Sequence, residues 1–283
     1  MRNFNFSDNV LQIGNYKIYK KSLINTDNLG IIDVGNKYGC MNTMKTCYPE
    51  EMTNEERRLA FLEHRKLVSA AYDYEFNPYK FYIPTQNVEG KAVELTREMV
   101  EAYDDGWKLD IPGDILVVTD KTPGVVAGFP VADCVEIIAS DLKQGITATA
   151  HCNNKKLNEK LPQRTVEALQ SMYNSKLENI SIYIGAHAGD SYTYNNWPEW
   201  ATEEFWKETG AIKEEEKDLF RINHDLALLY MLDPEKFATF IINATDTITS
   251  SNHYSNHAYN HGKGPKEKEG RNFVGAYYKK RRI

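Results

Sequence analysis

Thr122-Pro-Gly-Val-Val-Ala-Gly-Phe-Pro-Val-Ala-Asp-Cys134 is the stretch that decides the fold, together with the run Gly145-Ile-Thr-Ala-Thr-Ala-His151 that follows it. The span 125–139 is apolar almost throughout, which is typical of strands buried on both faces. Asp141-Leu-Lys-Gln-Gly145 lies between them and predicts a hairpin turn. The sequence therefore predicts a buried strand pair over 125–139 and a further strand that ends at His151.

Cys134 and His151 lie 17 residues apart, one on each side of this turn. If the strands pair, both side chains emerge at the same rim of a sheet, within a few ångströms of each other. A lone Cys on a strand is usually a small buried hydrophobe, but Cys and His together bind zinc or carry out thiol catalysis. We predict that Cys134 and His151 are the catalytic pair.

The rest of the chain mixes helices and strands without a βαβ rhythm, and it contains no GxGxxG or GxxxxGK run. This favours an α+β fold, a single domain over 1–283 in which mixed β-sheets are sandwiched with helices. A helix is predicted over 53–74, with a Thr53–Glu56 capping box and an apolar face at Leu59, Leu62, Leu67 and Ala70. The other predicted helices cover 92–107, which is acidic, 162–173, 199–209 and 222–231. The remaining predicted elements are a hairpin over 9–20, strands over 81–84, 114–119, 179–185 and 273–278, a strand or helix end over 237–243, and a loop or helix extension over 250–272.

Composition limits the function classes. The 283 residues are 41% hydrophobic, 26% charged and carry a formal net charge of −6, which argues against nucleic acid as the main partner. The four cysteines have no CxxC spacing, the start lacks an apolar signal region, and no run approaches 18 apolar residues. We expect a cytoplasmic monomer or homodimer that acts on a small molecule, with no nucleic-acid and no membrane partner.

Four segments carry a resemblance to a known family: Asp114-Ile-Leu-Val-Val-Thr119, Pro123-Gly-Val-Val-Ala127, Val131-Ala-Asp-Cys134 and Ala148-Thr-Ala-His151. In this order they resemble the laccase-domain proteins. These are bacterial polyphenol oxidase-like proteins that include purine nucleoside phosphorylases and adenosine deaminases. The resemblance extends over roughly 30–278 and is specific over 114–151, and it marks this chain as a divergent member.

The resemblance implies a zinc site. In the family the metal is held by a histidine of a Gln-Val-His-Gly segment, by the cysteine of Ala-Asp-Cys and by the histidine after the next strand. Cys134 and His151 match the last two, and Gln86-Asn-Val-Glu89-Gly90 places Glu89 where the first histidine would be. A carboxylate also ligates zinc, so Glu89, Cys134 and His151 are the expected metal ligands. The sequence shows no second His/Cys cluster of the kind that a multicopper site needs.

The resemblance also implies a substrate site. The family's His-Ala-Gly-Trp-Arg-Gly segment reads His151-Cys-Asn-Asn-Lys155-Lys156 here, so Lys155 replaces an arginine that holds an anion such as phosphate. A lysine does this as a point charge, without the bidentate fork of arginine. The residues predicted to bind substrate are Gln86, Asp133, Asn154, Lys155, His187, His257 and Arg271.

His253, His257 and His261 follow each other at intervals of four residues, each preceded by Asn. On a helix they would share a face and could bind a metal. Asn is a poor helix former and Gly262 and Gly264 follow, which favours a polar loop instead. We favour the loop and predict that His257 lines the substrate pocket.

Three functions remain open at this point. The first is a zinc-dependent enzyme that acts on purine nucleosides, by phosphorolysis or deamination, or on a related heteroaromatic molecule, with a metal-bound water or phosphate as the attacking group. The second is a metal-free hydrolase or deamidase, because the same fold group resembles bacterial glutamine deamidases; Cys134 would be the nucleophile and His151 its base. The third is a specialised relative that has lost the ancestral activity, since the Trp-Arg-Gly segment is replaced.

Overall fold

The computed structural model describes residues 11–13, 15–20, 28–85, 89–102, 109–202, 204–261 and 269–280. Its strands are β1 (Leu11–Ile13), β2 (Tyr16–Lys20), β3 (Leu29–Val34), β4 (Phe81–Tyr82), β5 (Pro84–Thr85), β6 (Ala92–Glu94), β7 (Leu109–Pro112), β8 (Ile115–Thr119), β9 (Val126–Val131), β10 (Val135–Asp141), β11 (Ile146–Cys152), β12 (Ile180–Ile184), β13 (Tyr192–Asn195), β14 (Ile212–Glu216), β15 (Leu219–Ile222), β16 (Thr239–Asn243) and β17 (Asn272–Tyr278). Its helices are α1 (Asn54–Ala71), α2 (Arg97–Ala102), α3 (Asn154–Asn158), α4 (Leu161–Tyr173), α5 (Phe205–Glu208), α6 (His224–Leu232) and α7 (Asn256–His261).

Two large sheets form the centre of the fold. The larger has eight strands in the order β1-β2-β16-β12-β10-β11-β8-β6, and the smaller has four in the order β3-β17-β9-β4. Both combine antiparallel pairs with parallel ones, such as β12 with β16 and β4 with β9. A three-stranded sheet, β13-β15-β14, and the β5-β7 pair complete the described strands.

The two sheets pack face to face, with helices outside. On one face of the eight-stranded sheet, Ile137 packs in a buried cluster with Leu169 of α4 and Leu228 of α6. On its other face, Ile138 belongs to a second cluster with Phe129 of β9. Burying one such side chain contributes roughly 1.5–3 kcal/mol to folding. Because side chains alternate between the two faces of a strand, neighbouring residues of β10 belong to different clusters. The predicted α+β class, with mixed sheets between helices, is confirmed.

Helix α1 begins at the predicted capping box: Thr53 accepts from the Glu56 amide, and the Glu56 carboxylate accepts from the Thr53 amide. The predicted apolar face is wrong, because Leu59 and Leu67 are 54% and 55% exposed. The buried face is instead formed by Arg57, Phe61, Arg65, Val68 and Ser69. The reason is the aromatic cluster beneath the helix, where the Arg65 guanidinium lies 4.5 Å from the centre of the Phe61 ring and 5.8 Å from that of Phe81.

The predicted strand pair over 125–139 forms the two strands β9 and β10, but they do not pair with each other. β9 pairs with β17 and β4 in the smaller sheet, whereas β10 pairs with β11 and β12 in the larger. The chain therefore crosses from one sheet to the other between Val131 and Val135. Asp133 holds this crossing: its carboxylate accepts from the Thr247 hydroxyl at 2.8 Å and from the His257 amide at 2.7 Å.

Several other predicted elements differ in extent. The span 92–107 contains β6 and α2 rather than one helix, and its last five residues lie outside the described ranges. The acidic helix of 199–209 shrinks to α5, the alternative at 237–243 is resolved as strand β16, and 250–272 holds the short helix α7. The β1–β2 and β10–β11 hairpins form as predicted. No helix among the described residues is long and apolar enough to span a membrane.

Candidate functional site

Cys134 immediately precedes β10, and His151 lies near the end of β11. Glu136 is directly opposite His151 in the register, and Val135 is opposite Cys152. Cys134 and His151 therefore lie at the same end of the β10–β11 pair, and their joint catalytic role stays a prediction. The His151 ring lies 6.0 Å from that of Phe129, and Cys134 is half-buried. The predicted pair is thus brought to one rim of the sheet.

Burial keeps both groups neutral. Desolvation, reinforced by the Asp133 charge, raises the pKa of the Cys134 thiol to about 12, although Arg271 acts in the opposite direction. Desolvation and the positive charge of Arg271 lower the pKa of His151 to about 4, while Asp114 raises it. At neutral pH the pair therefore consists of a thiol and an uncharged imidazole. Arg271 acts on both, so it lies close to the predicted pair.

Glu136 is a further ionisable group at this rim. It is fully buried, and neither of its carboxyl oxygens has a hydrogen-bond partner among the described residues. Desolvation and the charge of Asp33 raise its pKa well above the usual value, which favours the protonated carboxyl. An ionisable residue inside the apolar run 135–139 is a signal that sequence reasoning missed.

An aromatic slot adjoins Cys134. We use this name for the cavity of about 240 Å³ lined by Tyr192, Thr193, Tyr194, Asn195, Leu219, His257 and His261. The His257 ring lies between those of Tyr192 and His261, with 4.4 Å between ring centres on each side. Desolvation is the main cause of the raised pKa of Tyr192, and the charges of Tyr194, Cys134 and Asp133 contribute. Asp133, which precedes Cys134 in the chain, accepts from the His257 amide at 2.7 Å, so the slot adjoins this segment. Such a slot can hold a flat heteroaromatic ring.

Helix α7 contains two of the three histidines that the sequence singled out, His257 and His261. The loop that we favoured for this segment is therefore wrong, and both rings form one wall of the slot. That the slot is the substrate pocket stays a prediction. His253 precedes the helix, and its Nδ1 lies 3.0 Å from the Ser250 hydroxyl. Asp133 positions His257 through its backbone amide, at 2.7 Å. Asp133 thus acts on the slot through His257.

A basic cleft opens beside the slot. It has a volume of about 670 Å³ and is lined by Glu89, Asn153, Lys155, Lys156, Glu159 and Arg164. Lys155 is exposed there, whereas the ammonium of Lys156 lies 3.0 Å from both the buried Asp114 carboxylate and Glu159. The Asn154 amide bridges the Tyr194 hydroxyl of the slot, at 2.9 Å, and His224, at 2.7 Å. Asn154 therefore connects the cleft to the slot.

His187 lies deeper than predicted for a substrate ligand. It is 1% exposed, and its Nδ1 and Nε2 lie 2.8 Å from the Gly185 carbonyl and 3.0 Å from the Asp225 carboxylate. Asp225 in turn accepts from the Lys17 ammonium at 2.5 Å. His187 and Asp225 line a small polar cavity of about 120 Å³. The sequence offered no signal that joins these three residues.

The predicted metal ligands are not brought together. Glu89 and Gly90 form a turn with positive φ, 51° and 77°, and the Glu89 carbonyl accepts from the exposed Arg164 at 3.0 Å. Glu89 thus lies at the basic cleft. Within the described ranges, no three His, Cys, Asp or Glu side chains are arranged to hold a metal ion. These residues therefore do not fit a three-ligand zinc site, and Gln86 lies outside the described residues.

The sequence of this chain is similar to those of known proteins. Residues 52–271 match a family model described as multi-copper polyphenol oxidoreductase laccase. A purine nucleoside phosphorylase of Clostridium acetobutylicum is 29% identical over 98 residues, which are 35% of this chain. The matched segment spans 40% of that relative's length.

Solved structures share the fold at low sequence identity. YlmD from Geobacillus stearothermophilus superposes with a TM-score of 0.63 at 16% identity, over 79% of this chain and 82% of its own. A hypothetical protein YfiH of Bacillus licheniformis gives 0.61 at 17%, over 78% and 82%. Neisseria meningitidis protein NMB0706 gives 0.59 at 14%, over 96% and 100%. At such identities the likeness establishes the fold alone.

Proposed function

The chain belongs to the multi-copper polyphenol oxidoreductase laccase family, and from this premise we propose that it is an enzyme acting on purine nucleosides, with phosphorolysis as the reaction. The observation that carries the proposal is the aromatic slot beside Cys134, in which the Tyr192 and His257 rings lie 4.4 Å apart. The similarity to the purine nucleoside phosphorylase of Clostridium acetobutylicum supports the same substrate class.

The nucleoside base and phosphate bind in different cavities, the slot and the basic cleft. The purine lies in the slot, where Tyr192, His257 and His261 offer ring faces and ring edges. Phosphate lies in the cleft, where Lys155 supplies a positive charge at the surface. Asn154 contacts Tyr194 across the boundary, so the ribose is expected between the two cavities, over Cys134 and His151.

Phosphorolysis then proceeds by attack of a phosphate oxygen on C1′ of the ribose. The bond from C1′ to the purine nitrogen breaks with its electron pair on nitrogen, and the purine anion takes up a proton from water. The neutral imidazole of His151 accepts a hydrogen bond from a ribose hydroxyl or from phosphate. Holding both reactants in line is the main contribution that this site makes.

Two other chemistries have less support from the site. A thiolate nucleophile at Cys134 would need a lowered pKa, whereas desolvation raises it to about 12. Zinc is what the sequence resemblance implies, but the described donors do not fit a three-ligand site, so no step is assigned to a metal. Deamination of adenosine remains the alternative reaction on the same substrate class.

The direct test is turnover of adenosine, inosine and guanosine, with and without phosphate, followed by chromatographic separation of the products. Phosphorolysis releases the free base only when phosphate is present, whereas deamination converts adenosine to inosine in its absence. His151→Ala removes the imidazole acceptor and is expected to reduce turnover by about a hundredfold.

Cys152→Ala is the matched control, because Cys152 is buried in the core on the opposite face of β11. It should retain activity. Failure of all three nucleosides to react, in protein shown to be folded, would contradict the proposed function.

A further inference from the structure

A chain of hydrogen bonds runs from the interior of the protein to the aromatic slot. It begins at the Gly189 carbonyl, which lies 2.9 Å from the backbone amide of the buried His224 and 3.0 Å from its ring Nδ1. Nε2 of the same ring lies 2.7 Å from Asn154 Oδ1, and Asn154 Nδ2 lies 2.9 Å from the Tyr194 hydroxyl. Tyr194 lines the slot, so the direction of these bonds decides what its hydroxyl offers to a bound molecule.

The direction is set at the buried end of the chain. A carbonyl oxygen only accepts, so His224 Nδ1 carries the proton in its contact with Gly189. The ring is uncharged, because it is fully buried and its centre lies 6.0 Å from that of His187. Desolvation and the His187 charge accordingly lower the pKa of His224 to about 3. A neutral imidazole has one N–H, so His224 Nε2 is an acceptor.

Asn154 passes this direction on to Tyr194. Because His224 Nε2 and a carboxamide oxygen are both acceptors, a hydrogen bond at 2.7 Å requires the amide nitrogen of Asn154 on the His224 side. Half a turn about the last side-chain bond exchanges the nitrogen and oxygen ends of the carboxamide without moving its neighbours. The Asn154 oxygen then faces Tyr194 at 2.9 Å and accepts from its hydroxyl.

Tyr194 is thereby left with an oxygen that can only accept on the side of the slot. Its single proton is directed to Asn154, and the edge-on contact with the Trp200 ring, 5.9 Å between ring centres, fixes the phenol ring. A part-buried acceptor that meets a bound molecule without a donor loses its hydrogen bond to water and gains none in return. The slot therefore requires a donor beside Tyr194.

We propose that Tyr194 is a specificity-determining residue that accepts a hydrogen bond from a ribose hydroxyl, so that the site selects ribonucleosides over analogues whose sugar cannot donate there. This rests on the proposed function, which puts the ribose between the slot and the cleft, where Asn154 contacts Tyr194. A site built to pair with a hydroxyl discriminates strongly against analogues that lack it, because its own polar group is left unpaired.

The test measures the Kd of the full chain by calorimetry for adenosine and for its 2′-deoxy-2′-fluoro and 3′-deoxy-3′-fluoro analogues. Fluorine is close to a hydroxyl in size but cannot donate. At least one analogue is expected to bind about tenfold more weakly than adenosine, and Tyr194→Phe should bring that ratio close to one. Equal affinities in the wild type, or a ratio that persists in Tyr194→Phe, would overturn the proposal.

Two outcomes separate this proposal from the proposed function. Turnover of adenosine without discrimination against either analogue contradicts the role of Tyr194 alone, whereas a folded protein that neither binds nor converts adenosine contradicts both. Tyr259→Phe is the matched control, because it removes a phenol hydroxyl outside the slot and should keep the wild-type ratio.

A measurement on the ligand-free wild type tests the hydrogen-bond chain itself. Long-range ¹H–¹⁵N NMR at pH 7 should show the His224 ring uncharged and protonated at Nδ1, with its signals assigned by their loss in His224→Asn. A ring protonated at both nitrogens would donate to Asn154, which would free the Tyr194 proton for the slot and overturn the proposal.

Discussion

His187 Nε2 and Asp225 Oδ1 lie 3.0 Å apart in a site where His187 is 1% exposed. Burial disfavours the His187 charge, but the hydrogen bond and charge of Asp225 together with the Gly185 carbonyl leave its pKa raised. Burial likewise opposes ionisation of Asp225, yet His187 and Lys17 leave its pKa well below the usual range. The pair is therefore ionised, with both ring nitrogens donating.

His187→Asn is expected to destabilise the protein by about 1–3 kcal/mol, because it leaves the buried Asp225 carboxylate with the Lys17 ammonium alone. A raised histidine pKa contributes stability that is complete below the unfolded value of about 6.5 and is lost as pH rises through the folded pKa. The deficit of the variant should thus be largest between about pH 4 and 6.5 and shrink above it. Urea unfolding at several pH values measures this, and a deficit that grows towards pH 8 would refute the ion pair.

His224→Asn is the matched control, since His224 is equally buried and its ring centre lies 6.0 Å from that of His187. Burial and the nearby His187 charge lower the pKa of His224 to about 3. A lowered histidine pKa contributes stability that is present above about pH 6.5 and lost on acidification. The deficit of His224→Asn should therefore shrink as pH falls, which is the opposite trend to that of His187→Asn.

Glu136→Gln is expected to stabilise the protein at alkaline pH. The unfolded chain ionises Glu136 above about pH 4.5, but desolvation and Asp33 raise its folded pKa, so the wild type loses stability as pH rises. Each pKa unit corresponds to about 1.4 kcal/mol. Thermal unfolding should show Glu136→Gln above the wild type at pH 8 and equal to it at pH 4. Glu167→Gln on the exposed face of α4 should show no such difference.

The position of Cys134 and His151 was predictable because the hairpin between β10 and β11 is encoded locally. Seven consecutive register pairs follow from one turn and two apolar runs. The sheet that β9 joins was not predictable, because a strand buried on both faces carries no local mark of its neighbours. Its partner β17 and the Asp133 contacts to Thr247 and His257 lie more than 100 residues away in sequence.

The aromatic slot could not be predicted for the same reason, because its residues are far apart in sequence. Tyr192 and His257 come from different parts of the chain, and the hydrogen bond between neighbouring Thr193 and His257 spans 64 residues. Sequence reasoning found His257 through the family resemblance, whereas Tyr192 lies in a short strand with no motif. The same limit applies to Glu89, because a matching position in a segment does not fix where a loop places its side chain.

The zinc content of the purified protein tests whether the metal site that the family resemblance implies is present. Protein purified without chelators is expected to contain zinc well below one ion per chain, because the described residues provide no three-donor group. Elemental analysis of the wild type and of Cys134→Ala should give equal, low values. Near-stoichiometric zinc in the wild type that is lost in Cys134→Ala would instead establish a site that closes around Cys134 when the metal binds.

The aromatic slot predicts how nucleoside affinity depends on Tyr192. Tyr192→Ala removes one ring face, and an aromatic contact is worth about 0.5–1.5 kcal/mol, so the Kd for a purine nucleoside should rise roughly 2- to 13-fold. Tyr192→Phe keeps the ring and should bind nearly as the wild type does. Tyr259→Ala is the control, because Tyr259 lies on the same helix as His257 but is 43% exposed. Equal affinities for Tyr192→Ala and Tyr259→Ala, measured by calorimetry, would place the purine elsewhere.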